Sequence, residues 1–161
     1  MMIRPELPAD VRRIYDVTQS AFPTPDEAEL VNRLRADGDS IISLVAVEAG
    51  RIIGHAVFSK MAAPFKALGL GPVSVVPEAQ DAGVGSALIN AGIDLARAKG
   101  WQCIFCLGDP NYYQRFGFSV SAASDFASPY VGPHFMALFL DAGLSVRQGP
   151  VAYAPAFAAL G

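Results

Sequence analysis

Apolar positions change their period along this chain, and the changes mark its elements. Residues 2–4 suit a short first strand, with a turn over 5–8. From residue 9, Val11, Ile14, Tyr15, Val17 and Phe22 recur at helical spacing, and Phe22-Pro23 closes that helix. A second helix carries Ala28, Leu30, Val31 and Leu34 on one face; Thr24 or Asp26 can cap it, and Asp37-Gly38-Asp39 ends it. Residues 41–48 and 51–60 then read as strands joined through the tight turn Ala49-Gly50. The next strand covers 68–76, interrupted by its glycines and Pro72.

A longer helix is expected over 84–99. Val84, Ala87, Leu88, Ala91 and Leu95 line one face, and Asn90, Asp94 and Arg97 turn to water. Gly92 inside it costs about 1 kcal/mol relative to Ala, which predicts close packing against a sheet. Gly100 ends this helix, a strand runs to Leu107, and strand-like pieces follow near 118–121, 135–140 and 146–153. The alternation predicts an α/β fold, a mixed sheet flanked by helices, in one domain of 161 residues.

The most informative stretch joins the strand at 68–76 to the long helix: Val75-Val76-Pro77, then Gln80-Asp81-Ala82-Gly83-Val84-Gly85-Ser86. A strand, a turn with two glycines and a helix start leave free backbone N–H groups where the helix dipole favours an anion. Three phosphate-binding turns have this outline. A P-loop needs Lys and then Ser or Thr after its last glycine, and Ser86-Ala87 stand there instead. A dinucleotide fingerprint needs a small residue at Leu88 and a carboxylate near Cys103, Ile104 or Phe105. The third pattern, Gln/Arg-x-x-Gly-x-Gly/Ala after a strand ending Val-x-Pro, is matched in full.

That pattern resembles the GNAT superfamily of acyl-CoA-dependent N-acyltransferases. A second stretch supports the resemblance: Gly108-Asp109-Pro110-Asn111-Tyr112-Tyr113-Gln114-Arg115-Phe116-Gly117-Phe118 is similar to the superfamily's short helix ending in Tyr-x-x-x-Gly-Phe. The likeness covers residues 3–118, with 119–161 as C-terminal strands and a substrate-side segment. Val151 to Phe157 is similar to one bacterial branch whose substrates are mostly unassigned.

The resemblance implies a sheet splayed at the strand before the Gly turn, acetyl-CoA as co-substrate, and transfer of its acetyl group to a primary amine of a small molecule or peptide within a ternary complex. It implies that Val75 and Val76 meet the pantetheine arm, and that the Val75 N–H serves as oxyanion donor. Gln80, Asp81, Ala82, Gly83, Val84, Gly85 and Ser86 would hold the pyrophosphate. Tyr113 would protonate the leaving thiolate, with Tyr112 the neighbour to be told apart from it, and with Asn111 and Phe116 beside the cofactor. Asn111 and Asp109 are equally helix caps by type. Phe22, Glu27, His55 and His134 are candidates for the acceptor pocket, and Glu27, Glu29 and the two histidines for a base. His55, alternating with apolar neighbours, also reads as a hydrogen-bonded core residue.

Composition narrows the partners. The net charge is −3 and the basic residues are scattered, which argues against nucleic acid. Apolar residues make up 52%, yet charges break every membrane-length stretch, and the first residues lack a signal-like apolar run. A cytoplasmic location is the default expectation, and a homodimer is left open. Cys103 and Cys106 fall three apart on an expected buried strand, facing opposite sides, so they neither pair nor share a metal; no metal is expected. A non-catalytic acyl-CoA-binding sensor on the same fold is the alternative reading; it would keep the Gly turn and dispense with Tyr113.

Overall fold

A computed structural model describes residues 1–160. The chain runs β1 (Met2–Pro5), α1 (Val11–Ala21), α2 (Asp26–Ala36), β2 (Ser40–Glu48), β3 (Arg51–Lys60), β4 (Ala67–Val75), α3 (Val84–Ala98) and β5 (Cys103–Leu107). Then come α4 (Pro110–Tyr113), α5 (Val120–Ala123), β6 (Phe126–Ala127), β7 (Phe135–Phe139) and β8 (Gly149–Pro150). Six strands form one sheet in the order β1-β2-β3-β4-β5-β7, antiparallel except where β4 meets β5. It is the mixed α/β sheet expected.

Local sequence explains the main joints. Ala49 and Gly50 both take positive φ (50° and 74°), the two-residue turn whose twist suits a hairpin. Helix α3 lies on β2 and β3, while α1 and α2 pack on β3, β4 and β2. Gly92 is where α3 comes closest: a Cβ there would lie 2.0 Å from the ring of Phe58 on β3. The helix-interior glycine therefore has the packing role expected of it. Cys103 and Cys106 are fully buried free thiols in separate apolar clusters, consistent with opposite faces of β5. Burial pushes both thiols up to about 12.

The C-terminal third departs from the expected strands. Ser119 makes one bridge to Ala137, but its hydroxyl then accepts the Ala122 N–H (3.2 Å) and starts α5 instead of extending a strand. Within 146–153 only Gly149–Pro150 is a strand, paired to Phe126–Ala127, and Ala152 bridges Ala62. A 3-10 helix, Pro155–Leu160, follows and packs on α2; nothing in the apolar spacing announced it. At the start of α2, Asp26 is the first helical residue, and Thr24 Oγ1 only accepts its N–H at 3.4 Å.

Candidate active site

The site begins with a strand that leaves its neighbour. Strands β4 and β5 pair only through Ala67–Gly69 and Cys103–Phe105, although β4 continues to Val75. Val76 donates its N–H to the Ile53 carbonyl (2.9 Å), and Gly54 stands opposite Val75. Bonding direction alternates along an antiparallel ladder, so the Val75 N–H and C=O point away from β3, into the gap. Gln80 Nε2 donates to that carbonyl at 3.0 Å. The Val75 N–H is left facing the opening.

The same gap meets the start of α3. Gly83 precedes the helix with φ 85°, and Asp81 also takes positive φ (63°), so the turn folds back on itself. An added Cβ on Gly83 would meet nothing within 4 Å, whereas one on Gly85 would sit 3.6 Å from the Tyr112 hydroxyl and 3.8 Å from Val73 and Val75. Glycine at 85 thus keeps the floor between helix and strand clear. Val73, Val75, Gln80, Asp81, Gly83, Val84, Gly85, Ser86, Tyr112, Tyr113 and Arg115 all line one cavity of about 590 Å³. The free N–H groups of α3, a helix of fifteen residues, give it an anion-binding end.

On the far side, Asp109 caps α4 by accepting the Asn111 N–H (3.0 Å), and α4 presents two tyrosines. The Tyr112 hydroxyl is 3.0 Å from Ser86 Oγ, and the Arg115 guanidinium lies 5.2 Å from the Tyr112 ring centre. The Tyr113 ring rests on Gly108, where a Cβ would come within 2.4 Å of it. Its hydroxyl makes no hydrogen bond among the described residues. Burial, with Cys106 and Tyr112 close by, pushes that phenol up to about 12, so it is protonated at neutral pH. Tyr113, Phe22 and Val73 also line a second cavity of about 460 Å³, which continues to Glu27, Tyr130, Tyr153 and Phe157.

Several sequence-read positions fall elsewhere. The N–H of Val76 is committed to Ile53 and its side chain is buried, so it faces no cavity. Ala82 and Asn111 are exposed and line neither cavity, and Phe116, also outside both linings, packs edge to face on Tyr112 and tilted against Tyr113. His55 is fully buried in β3: its Nε2 lies 2.7 Å from Ser43 Oγ, which in turn donates to Glu6 (2.6 Å). Burial lowers its pKa to about 4. His55 is therefore a neutral core residue and lines neither cavity. His134 is exposed at the start of β7, 3.2 Å from the Gly108 carbonyl, outside both cavities. Glu29 is exposed and lines neither of the two.

The structure adds residues that sequence reading missed. Arg115 occupies a position that Tyr-x-x-x-Gly-Phe leaves unspecified, yet it puts a cation on the first cavity. Tyr130, Tyr153 and Phe157 come from the C-terminal segment, which sequence reading expected on the substrate side without singling out these side chains.

Comparison with known proteins agrees with this fold. Over 136 residues the chain is 33% identical to the uncharacterized N-acetyltransferase YhbS of Escherichia coli K12, covering 82% of this chain and 81% of that one. The uncharacterized N-acetyltransferase YjhQ of the same organism is 36% identical over 134 residues (78% and 74%). The crystal structure of Escherichia coli YhbS in complex with CoA superposes with a TM-score of 0.90 at 30% identity, over 99% of this chain and 93% of that one. A GNAT acetyltransferase of Brucella melitensis in complex with acetyl-CoA gives 0.82 at 37% identity, over 97% of each. Residues 11–118 match the family described as acetyltransferase (GNAT), and the chain belongs to that family.

Proposed function

We propose that this protein is an acetyl-CoA-dependent N-acetyltransferase that acts on a primary amine by direct attack, with both substrates bound together. The observation that carries it is the place of Tyr113: a protonated phenol without a hydrogen-bond partner among the described residues, on a side chain that lines both cavities beside the splayed end of β4. A sensor that only bound acyl-CoA would have no use for that arrangement.

The residues present fit the co-substrate. The backbone groups of Val73 and Val75 turned into the gap suit the amide-bearing pantetheine arm, and the glycine floor at α3 suits a pyrophosphate. Arg115 adds a cation at the same wall. Relatives crystallised with CoA and acetyl-CoA support such a ligand. Acetyl-CoA supplies an acetyl group already activated as a thioester.

The chain's own groups do the rest. The Val75 N–H donates to the acyl oxygen as negative charge develops, a contribution worth about 3 to 4 kcal/mol for a preorganised donor. Tyr113 gives its proton to the departing sulfur. Cys103 and Cys106, buried and with raised pKa values, offer no nucleophile for an acyl-enzyme route. The test is release of free thiol from acetyl-CoA on adding a panel of primary amines, with the acetylated amine identified by mass. Tight acetyl-CoA binding without thiol release by any amine would favour the sensor instead.

A further inference from the structure

The second cavity has a chemistry of its own. Among the described residues of its lining, Glu27 is the only one of an acidic or basic type; Leu30, Leu70, Tyr130, Tyr153 and Phe157 stand around it. Glu27 is partly buried and makes no ion pair or hydrogen bond among the described residues. Tyr130 and Tyr153 meet edge to face (5.6 Å), and Tyr153 lies 5.0 Å from Phe157. A half-buried carboxylate without a cation, set among aromatic faces, attracts one positive charge twice: through the ion pair and through the ring quadrupoles. It repels a carboxylate or phosphate, which would find no basic partner in this lining. A second ammonium on the substrate would find no second carboxylate among the described residues of this lining.

Resting on the acetyltransferase reading above, we infer that the acceptor is a monoamine with an uncharged, aromatic or bulky apolar body. The ammonium is held by Glu27, and the body lies between Tyr130, Tyr153 and Phe157. The bookkeeping of the transfer closes: the ammonium loses one proton to solvent before attack, the C–N bond forms and the C–S bond breaks. The nitrogen's next proton replaces the one that Tyr113 hands to sulfur. The products are a neutral amide and a thiol.

Matched pairs test this. Binding of 2-phenylethylamine and tryptamine to CoA-saturated protein is measured by calorimetry beside phenylalanine and tryptophan, the same bodies with a carboxylate, and beside spermidine. Thiol release from acetyl-CoA is followed with the same set. The inference expects the two arylalkylamines to bind at least about tenfold tighter than their carboxylated counterparts and spermidine. Glu27→Gln should weaken arylalkylamine binding and raise their KM about 10- to 100-fold, with a smaller change in kcat and the acetyl-CoA dissociation constant within twofold. Equal or tighter binding of the amino acids or spermidine overturns the inference, as does no arylalkylamine binding at millimolar concentration. An unaffected Glu27→Gln variant overturns it too. Failure of the wild type to bind acetyl-CoA would instead overturn the parent reading, so the two failures are distinct.

Discussion

The hydroxyls of Ser86 and Tyr112 lie 3.0 Å apart, tying the first turn of α3 to α4 across the gap that the parting of β4 from β5 leaves open. That bond separates two adjacent tyrosines by role. Tyr112 is engaged with α3 and flanked by Arg115; Tyr113, its ring 5.1 Å away and at 82° to it, lines both cavities and has no hydrogen-bond partner among the described residues.

Tyr113→Phe should lower kcat about 10²- to 10⁴-fold, the usual range for losing a positioned acid. Binding of acetyl-CoA should change little, because the α3 turn and the β4 backbone are untouched. Tyr112→Phe should do the reverse, weakening CoA binding more than turnover. Steady-state kinetics beside calorimetric CoA titrations check both, and an unchanged kcat for Tyr113→Phe would remove it from the acid role.

Gly108→Ala tests how that tyrosine is held. The new Cβ would sit 2.4 Å from the Tyr113 ring, so the ring must swing off the backbone. Even about 1 Å of misplacement can cost 10²-fold in rate. A drop of that order in kcat, with acetyl-CoA affinity kept, is the expected outcome; wild-type kcat in the folded variant would show that ring placement is not critical.

Stability should fall with acid before the carboxylates titrate. His55 carries a pKa lowered to about 4 by burial, against about 6.5 unfolded, so the unfolded chain binds more protons between those values. Stability is therefore full above about pH 6.5 and declines toward pH 4, by about 3 kcal/mol if the whole shift is expressed. Glu6 and Asp10 act lower down. Burial raises Glu6, but its bonds from Arg35 and Ser43 outweigh that, and the Arg4 bond lowers Asp10, so their contributions are lost only as pH falls through those depressed values. Denaturant midpoints measured from pH 7.5 to 5 check the claim, and His55→Gln should flatten the decline.

What the sequence revealed depended on how local each signal was. The turn Gln80 to Ser86 was legible because its glycines, its strand end and its helix start are consecutive, and Gly92 announced its contact by breaking a helical pattern. His55 was half legible: alternation showed that it is buried, but its Ser43–Glu6 partners lie on β2 and at the end of β1, distant in the chain. Residues 118–121 looked like a strand by composition, and the cap by Ser119 turned Val120 and Ser121 into the start of α5. The aromatic wall of the second cavity was not legible, because Tyr130, Tyr153 and Phe157 are brought to Glu27 by tertiary packing of irregular segments.

The most direct test is thermal unfolding of the wild type and of Gly83→Val, each alone and with about a hundredfold excess of acetyl-CoA over its dissociation constant. Valine at 83 would place a branched side chain in the open space before α3, at a φ of 85° that suits glycine. Saturation at that level adds about 2.7 kcal/mol, a rise of several degrees for a domain this size. The account predicts that rise in the wild type, none with NAD, and none in a folded Gly83→Val. A wild type whose midpoint ignores acetyl-CoA, or a Gly83→Val protein that responds as the wild type does, would contradict it.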